Sequence, residues 1–205
     1  MLFKSRSAAV YGIDANIIDV EVDFSGVVEK PEFSTVGLPD AAVRESRDRV
    51  RSAIKNSGFD IPPTRITVNL APADVKKEGS GFDLPIAISI IGAYGALHIK
   101  DVSDFLLVGE LGLDGGLRAV QGMLPIAVAA RTAGIRNLVI PASNAREAAV
   151  VEGVNVYPVH TLLEVRELLN SAAFGAVTAQ PLKVEAATLL EELQHFPHDF
   201  KDVRG

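Results

Sequence analysis

The chain has 205 residues, 48% of them hydrophobic, a formal net charge of −6 and no cysteine. That length supports one substantial core with a short appendage, and the missing cysteines exclude a disulfide framework and thiolate metal sites. No apolar run reaches the roughly 18 residues of a membrane helix and the first residues lack a signal-peptide core, so a cytoplasmic protein without membrane contact is expected. With an acidic balance, any nucleic-acid contact must come from a local patch.

In chain order, Ala8, Val10 and Gly12, then Ile18, Val20, Val22 and Phe24, alternate with polar residues in the strand manner, leaving Asp19, Glu21 and Asp23 on the other face. Residues 33–38 read as a third strand, stopped by Gly37 and Pro39. The period then becomes helical. Val43, Val50, Ala53 and Ile54 share one arc of a helix over 39–56 closed by Gly58, and residues 66–70 form the next strand. A loop, Lys76-Lys77-Glu78-Gly79-Ser80-Gly81-Phe82, leads into an apolar helix from Asp83, its expected N-cap, with Pro85 in the first turn. Gly-Ser-Gly before a helix start places free backbone N–H groups beside a hydroxyl, a geometry that suits an anion or a nucleophile.

The second half repeats strand and helix. Residues 105–111 read as a buried strand, 114–116 as a turn, 117–120 as its hairpin partner and 124–133 as a helix ended by Gly134. Strands follow over 137–141 and 154–159, with helices over 144–151 and 161–170. Hairpins first and αβ units later predict an α+β fold, a mixed sheet packed with helices. The expected domain covers residues 1–170. After about Ser171 the pattern weakens into Ala-rich sequence, Pro181 and an acidic helix-like piece over 184–194, so 171–205 is read as a linker.

On the first helix, Arg44, Arg47, Arg51 and Lys55 fall within an arc of about 80° and span roughly 16 Å at 1.5 Å per residue. Such a stripe matches a phosphate backbone or an acidic partner surface; with Lys76 and Lys77 it forms the candidate nucleic-acid surface. The alternatives are a solvated face paired with Glu45 or Asp48, and a contact between subunits.

Three blocks, 36–46, 67–85 and 109–141, resemble the ComM/YifB-type, magnesium-chelatase-like AAA+ ATPases, and through them the Lon-type Ser/Lys proteases. The resemblance implies the Lon-protease-like, ribosomal protein S5 domain 2-type fold, placed ahead of an AAA+ module whose opening residues 200–205 resemble. It further implies a homo-oligomeric ring, hexameric in the family, that acts on DNA by ATP-driven branch migration in recombination and natural transformation. Nothing in the chain matches G-x-x-x-x-G-K-[ST], so ATP and Mg²⁺ are expected in the missing module and no cofactor in this one.

Aligned on the Lon pattern, the nucleophile position falls on Gly81, with Ser80 one place early, and the lysine position falls on Leu124. A Ser/Lys pair needs both groups within hydrogen-bond reach, so the loop Gly79, Ser80, Gly81 with Leu124 is read as a degenerate protease site without catalytic residues. Lys76 and Lys77 are expected to face solvent. The rival reading is a chaperone-like or vestigial protease domain that binds peptide at 79–82. His195 and His198, three apart, lack a further ligand and are read as solvated tail; His98 and His160 are isolated, and Glu110 and Asp114 fit the polar ends of a hairpin.

Overall fold

The computed structural model describes residues 1–175 and 177–182; the piece at 184–194, His195, His198 and residues 200–205 lie outside the described residues. The two opening strands are longer than their apolar cores. β1 (Leu2–Tyr11) and β2 (Asp14–Val27) pair antiparallel along their shared length. Ile18, Val20 and Val22 have no exposed surface, while Asp19 and Asp23 point outward, as the alternation requires. β3 (Glu32–Val36) follows, then α1 (Ala41–Asn56) and β4 (Thr64–Ala71), which pairs antiparallel with β2 and parallel with β3.

α2 (Asp83–Tyr94) is apolar all round and almost wholly buried, which makes it the central helix of the domain. It lies against β1, where the Ser5 hydroxyl meets Ser89 at 2.7 Å and the Pro85 carbonyl at 3.2 Å. Gly92 lets it come so close: a Cβ there would stand 2.6 Å from the Phe3 ring.

The expected strand over 105–111 is broken in two. β5 (Phe105–Leu107) joins the sheet beside β1, whereas β6 (Glu110–Leu111) pairs with β7 (Leu117–Arg118) as a separate ribbon. The break has a cause in hydrogen bonding. The Gly109 N–H donates to the Gly81 carbonyl at 2.9 Å, and the Gly109 carbonyl accepts from the Leu84 N–H at 3.0 Å. Those bonds take backbone groups that a continuing strand would need.

The remainder is α3 (Met123–Thr132), β8 (Asn137–Pro141), a 3-10 turn (Ala142–Asn144), α4 (Ala145–Ala149), β9 (Asn155–Val159) and α5 (Leu162–Ala173), capped by Thr161. The result is a seven-stranded mixed sheet in the order β3-β4-β2-β1-β5-β8-β9, antiparallel among β4, β2 and β1 and parallel from β1 to β9. One face packs on α1, α2 and α5, and the other face is covered over β5, β8 and β9 and, through α3, over the hairpin end of β1 and β2. The outer face of β3, β4 and β2 is left polar, with Lys4–Glu21 at 2.5 Å, Arg6–Asp19 at 3.5 Å and Arg65–Glu32 at 3.2 Å. Beyond α5 the chain keeps touching the core through Val177 and through Leu182, whose N–H donates to the Val156 carbonyl at 2.8 Å.

Candidate functional site

The 76–83 loop is held against the start of α1. Asp40 caps the helix, one carboxylate oxygen accepting from the Val43 N–H at 2.8 Å and the other from the Gly79 N–H at 3.2 Å. The Asp40 N–H in turn donates to the Lys77 carbonyl at 3.0 Å. The two lysines of the loop part company here. Lys76 is exposed and pairs with Glu78, which raises its pKa. Lys77 is not the solvent-facing cation expected: its side chain is fully buried, its Nζ donates to the Pro72 carbonyl, and burial lowers its pKa. A strand-like pairing of its backbone with Leu38 and Asp40 turns the side chain inward, so it presents nothing to a phosphate.

The loop expected to be a degenerate protease site is occupied by structural bonds. The Ser80 hydroxyl donates to Glu110, whose other oxygen lies 3.7 Å from Arg118. Gly81 stands where the pattern needs a nucleophile, and a Cβ there would meet Val108 at 3.3 Å and Val120 at 3.8 Å. Phe82 is buried, so residues 79–82 present no open apolar cleft. Leu124 is 43% exposed in a groove lined also by Ile13, Ile17 and Val128, and no residue of the 76–83 loop lines that groove. The expected polar ends, Glu110 and Asp114, have separate partners: Asp114 accepts from the Gly116 N–H at 3.0 Å.

Asp83 departs from the expected N-cap. Phe82 occupies the cap position, and the Asp83 carboxylate, fully buried, accepts from Arg49 Nε at 2.8 Å, from the Arg49 terminal nitrogen at 3.1 Å and from the Leu111 N–H at 3.2 Å. Burial pushes this carboxyl above its ordinary pKa, against the pull of Arg49 and the Leu111 N–H. Arg49 escaped the reading of the sequence because it lies about 140° from Arg44 on the helical wheel, away from the basic stripe. Its signal is a cation bordering the apolar arc of α1.

The stripe itself is brought together as expected. Arg44, Arg47, Arg51 and Lys55 are all exposed, while Val43, Val50, Ala53 and Ile54 are buried beneath them. Arg47 pairs with Asp48 at 3.2 Å and Arg44 reaches the Asp40 carbonyl at 3.3 Å; Arg51 and Lys55 have no carboxylate partner among the described residues. Two concavities run along this flank of α1. One holds Arg44 and Arg47 with Phe33 and Thr35, and the other holds Arg51 and Lys55 with Ile61, Pro62 and the single carboxylate Asp60. Among the described residues no three His, Asp or Glu side chains gather as a metal site, and no described helix is long and apolar enough to cross a membrane.

Comparison with known proteins agrees with this geometry. Residues 20–144 match the family described as subunit ChlI of Mg-chelatase. The chain is 47% identical over 164 residues to the competence protein ComM of Haemophilus influenzae, covering 80% of this chain and 32% of that one. It is 45% identical over 146 residues to YifB of Salmonella typhimurium, covering 71% of this chain and 28% of that protein. An archaeal Lon protease of Methanocaldococcus jannaschii is 27% identical over 148 residues, covering 72% of this chain and 22% of the protease. The chain thus spans about a third of the length of the curated relatives it matches. With the shared blocks lying on a mixed, helix-packed sheet of the Lon-like, S5 domain 2 kind, the chain belongs to the ComM/YifB family of magnesium-chelatase-like AAA+ proteins.

Proposed function

We propose that this chain is the non-catalytic, Lon-like N-terminal domain of a longer cytoplasmic ATPase, where it supports a homo-hexameric ring and contacts DNA through the α1 stripe. The observation that carries the reading is four exposed cations on one helix face, three of them (Arg44, Arg51 and Lys55) without a carboxylate partner among the described residues. The cations of the open sheet face are instead matched by Glu21, Asp19 and Glu32. Paired charges gain little from a phosphate, whereas free ones release counterions on contact. The name of the Haemophilus relative links that protein to competence. The proposed task of the whole protein is branch migration or related helicase-like remodelling of DNA in recombination and natural transformation. These residues contain no phosphate-loop motif, and ATP and Mg²⁺ are assigned to the rest of the protein.

The test belongs in the full-length oligomer, because a ring multiplies each small contribution. Changing Arg44, Arg47, Arg51 and Lys55 to Gln is expected to weaken DNA binding across sequences alike and to reduce the log–log salt slope by roughly 3, at about 0.7 per phosphate on a single strand. Rings intact by light scattering with an unchanged slope would return the stripe to a solvated face; lost rings would make it a subunit contact. The rival peptide reading at residues 79–82 gains nothing from a buried Phe82 and a filled space over Gly81.

A further inference from the structure

β3 ends the sheet, and among the described residues no strand pairs with its outer side. Edge strands of this kind offer open N–H and C=O groups, and proteins usually guard them with lysine, proline or a bulge. Residues 32–36 hold neither lysine nor proline, and pair with β4 in unbroken register. The one charge, Glu32, is engaged by Arg65 at 3.2 Å. At its end Val36 is 48% exposed, and just beyond it Leu38 is 57% exposed. Leu38 holds a φ of 55°, uncommon for a bulky residue, and its carbonyl accepts from the Lys77 N–H at 3.3 Å.

Beside the edge lies a cleft of about 210 Å³ lined by Phe33 and Thr35 of β3 and Arg44 and Arg47 of α1. Phe33 and Thr35 are two apart and share the face that α1 covers. A strand added to β3 would direct every second side chain into that cleft. Charge selects the occupant. A second copy adding its own β3 would bring two basic stripes together, since each β3 carries its α1 beside it. A peptide whose every second side chain, on the face turned to the cleft, is in turn apolar and acidic meets the arginines with a carboxylate and the Phe33 ring with an apolar group.

We propose that β3 and the cleft beside it form a strand-addition site for an extended peptide segment carrying apolar and acidic side chains in alternation on one face. Main-chain bonds to β3 supply the affinity and the cleft supplies the selection. Arg44 and Arg47 use one nitrogen each in the contacts described, which leaves their terminal nitrogens for a carboxylate. The site goes beyond the DNA reading and shares only these two arginines with it.

The probe is a fluorescein-labelled peptide, Thr-Val-Thr-Glu-Thr-Val-Thr, titrated into the 205-residue chain, with amide shifts followed by NMR. The expected result is saturable binding with shifts concentrated at residues 32–36. Replacing the peptide's Glu by Lys is expected to weaken binding by about tenfold, the loss of one charge-assisted pair. N-methylation of alternate peptide nitrogens should abolish it, and Arg47→Glu should reverse the preference between the two peptides. The double change Arg51→Gln and Lys55→Gln is expected to leave peptide affinity unchanged while DNA affinity of the ring falls, which separates this site from the DNA reading. Equal binding of the Glu and Lys peptides, shifts centred elsewhere, self-association through β3, or shifts at 32–36 with a single-stranded oligonucleotide but not with peptide would each overturn the proposal.

Discussion

Asp83 has no exposed surface, and its carboxylate faces the Arg49 guanidinium and the Leu111 N–H. Removing one partner of such a pair leaves an uncompensated buried charge, whereas removing both does not. Arg49→Met is expected to cost about 3 kcal/mol, the low end for a buried pair, because its side chain is 26% exposed and water screens part of the interaction. Adding Asp83→Leu should recover most of that loss in urea unfolding, and additive losses would refute the pairing. Lys77 gives a pH signature. Burial lowers its folded pKa below the ordinary 10.5, so between the lowered value and 10.5 the folded state binds fewer protons than the unfolded chain. Stability contributed at this position therefore rises with pH through that window. Compared with Lys77→Met, the natural chain should gain in melting temperature as pH rises towards 10.5; a pH-independent difference would contradict the buried ammonium. Ser80 donates to Glu110 and is bonded by neither loop lysine, since Lys77 points to Pro72 and Lys76 to Glu78. A serine-directed phosphonate should leave it unlabelled, and labelling lost in Ser80→Ala would restore the protease reading.

At the scale of elements, α1 carries three roles on three arcs. Its apolar arc packs on the sheet, its far border supplies Arg49 to Asp83, and its exposed arc holds the stripe. The wheel separates the first and third because apolar and charged residues differ in type. It does not separate Arg49 from the other arginines, because only the approach of α2 distinguishes them. The tail shows a similar limit. Its periodicity fades near Ser171, yet Val177 and Leu182 still rest on the core and Leu182 bonds to β9. A chain ending at Leu182 should therefore melt about 4 °C above one ending at Ser171, roughly 1 kcal/mol for a domain of this size. Equal melting temperatures would show those contacts to be idle.

For the whole molecule, the sheet divides the labour. Its parallel half and the hairpin end of β1 and β2 are covered on both faces, while the rest of its antiparallel half has α1 and α2 on one side and a paired polar surface on the other. Exposed positive charge is gathered along one arc of α1, where Arg44, Arg51 and Lys55 have no carboxylate partner among the described residues, in a chain whose net charge is −6. The ring-level expectation follows from that concentration: neutralising the stripe should lower DNA affinity and salt slope together, and measurement of both in the assembled protein checks it.

The sequence by itself determined the order and type of nearly every element, because alternation in β2 and β4 and the helical arcs of α1 and α5 are local patterns set by burial on one face. It also determined the family, through long blocks around Gly37, Gly79 and Gly109, and the exposure of the stripe. Tertiary structure alone decided what the buried polar groups do. The 105–111 run breaks because Gly109 bonds across to the 76–83 loop; Lys77 turns inward because its backbone pairs with Leu38 and Asp40; Asp83 serves Arg49 instead of capping its own helix. Each choice depends on a partner far away in the chain, and a local pattern carries no information about which distant group will satisfy a donor or a charge.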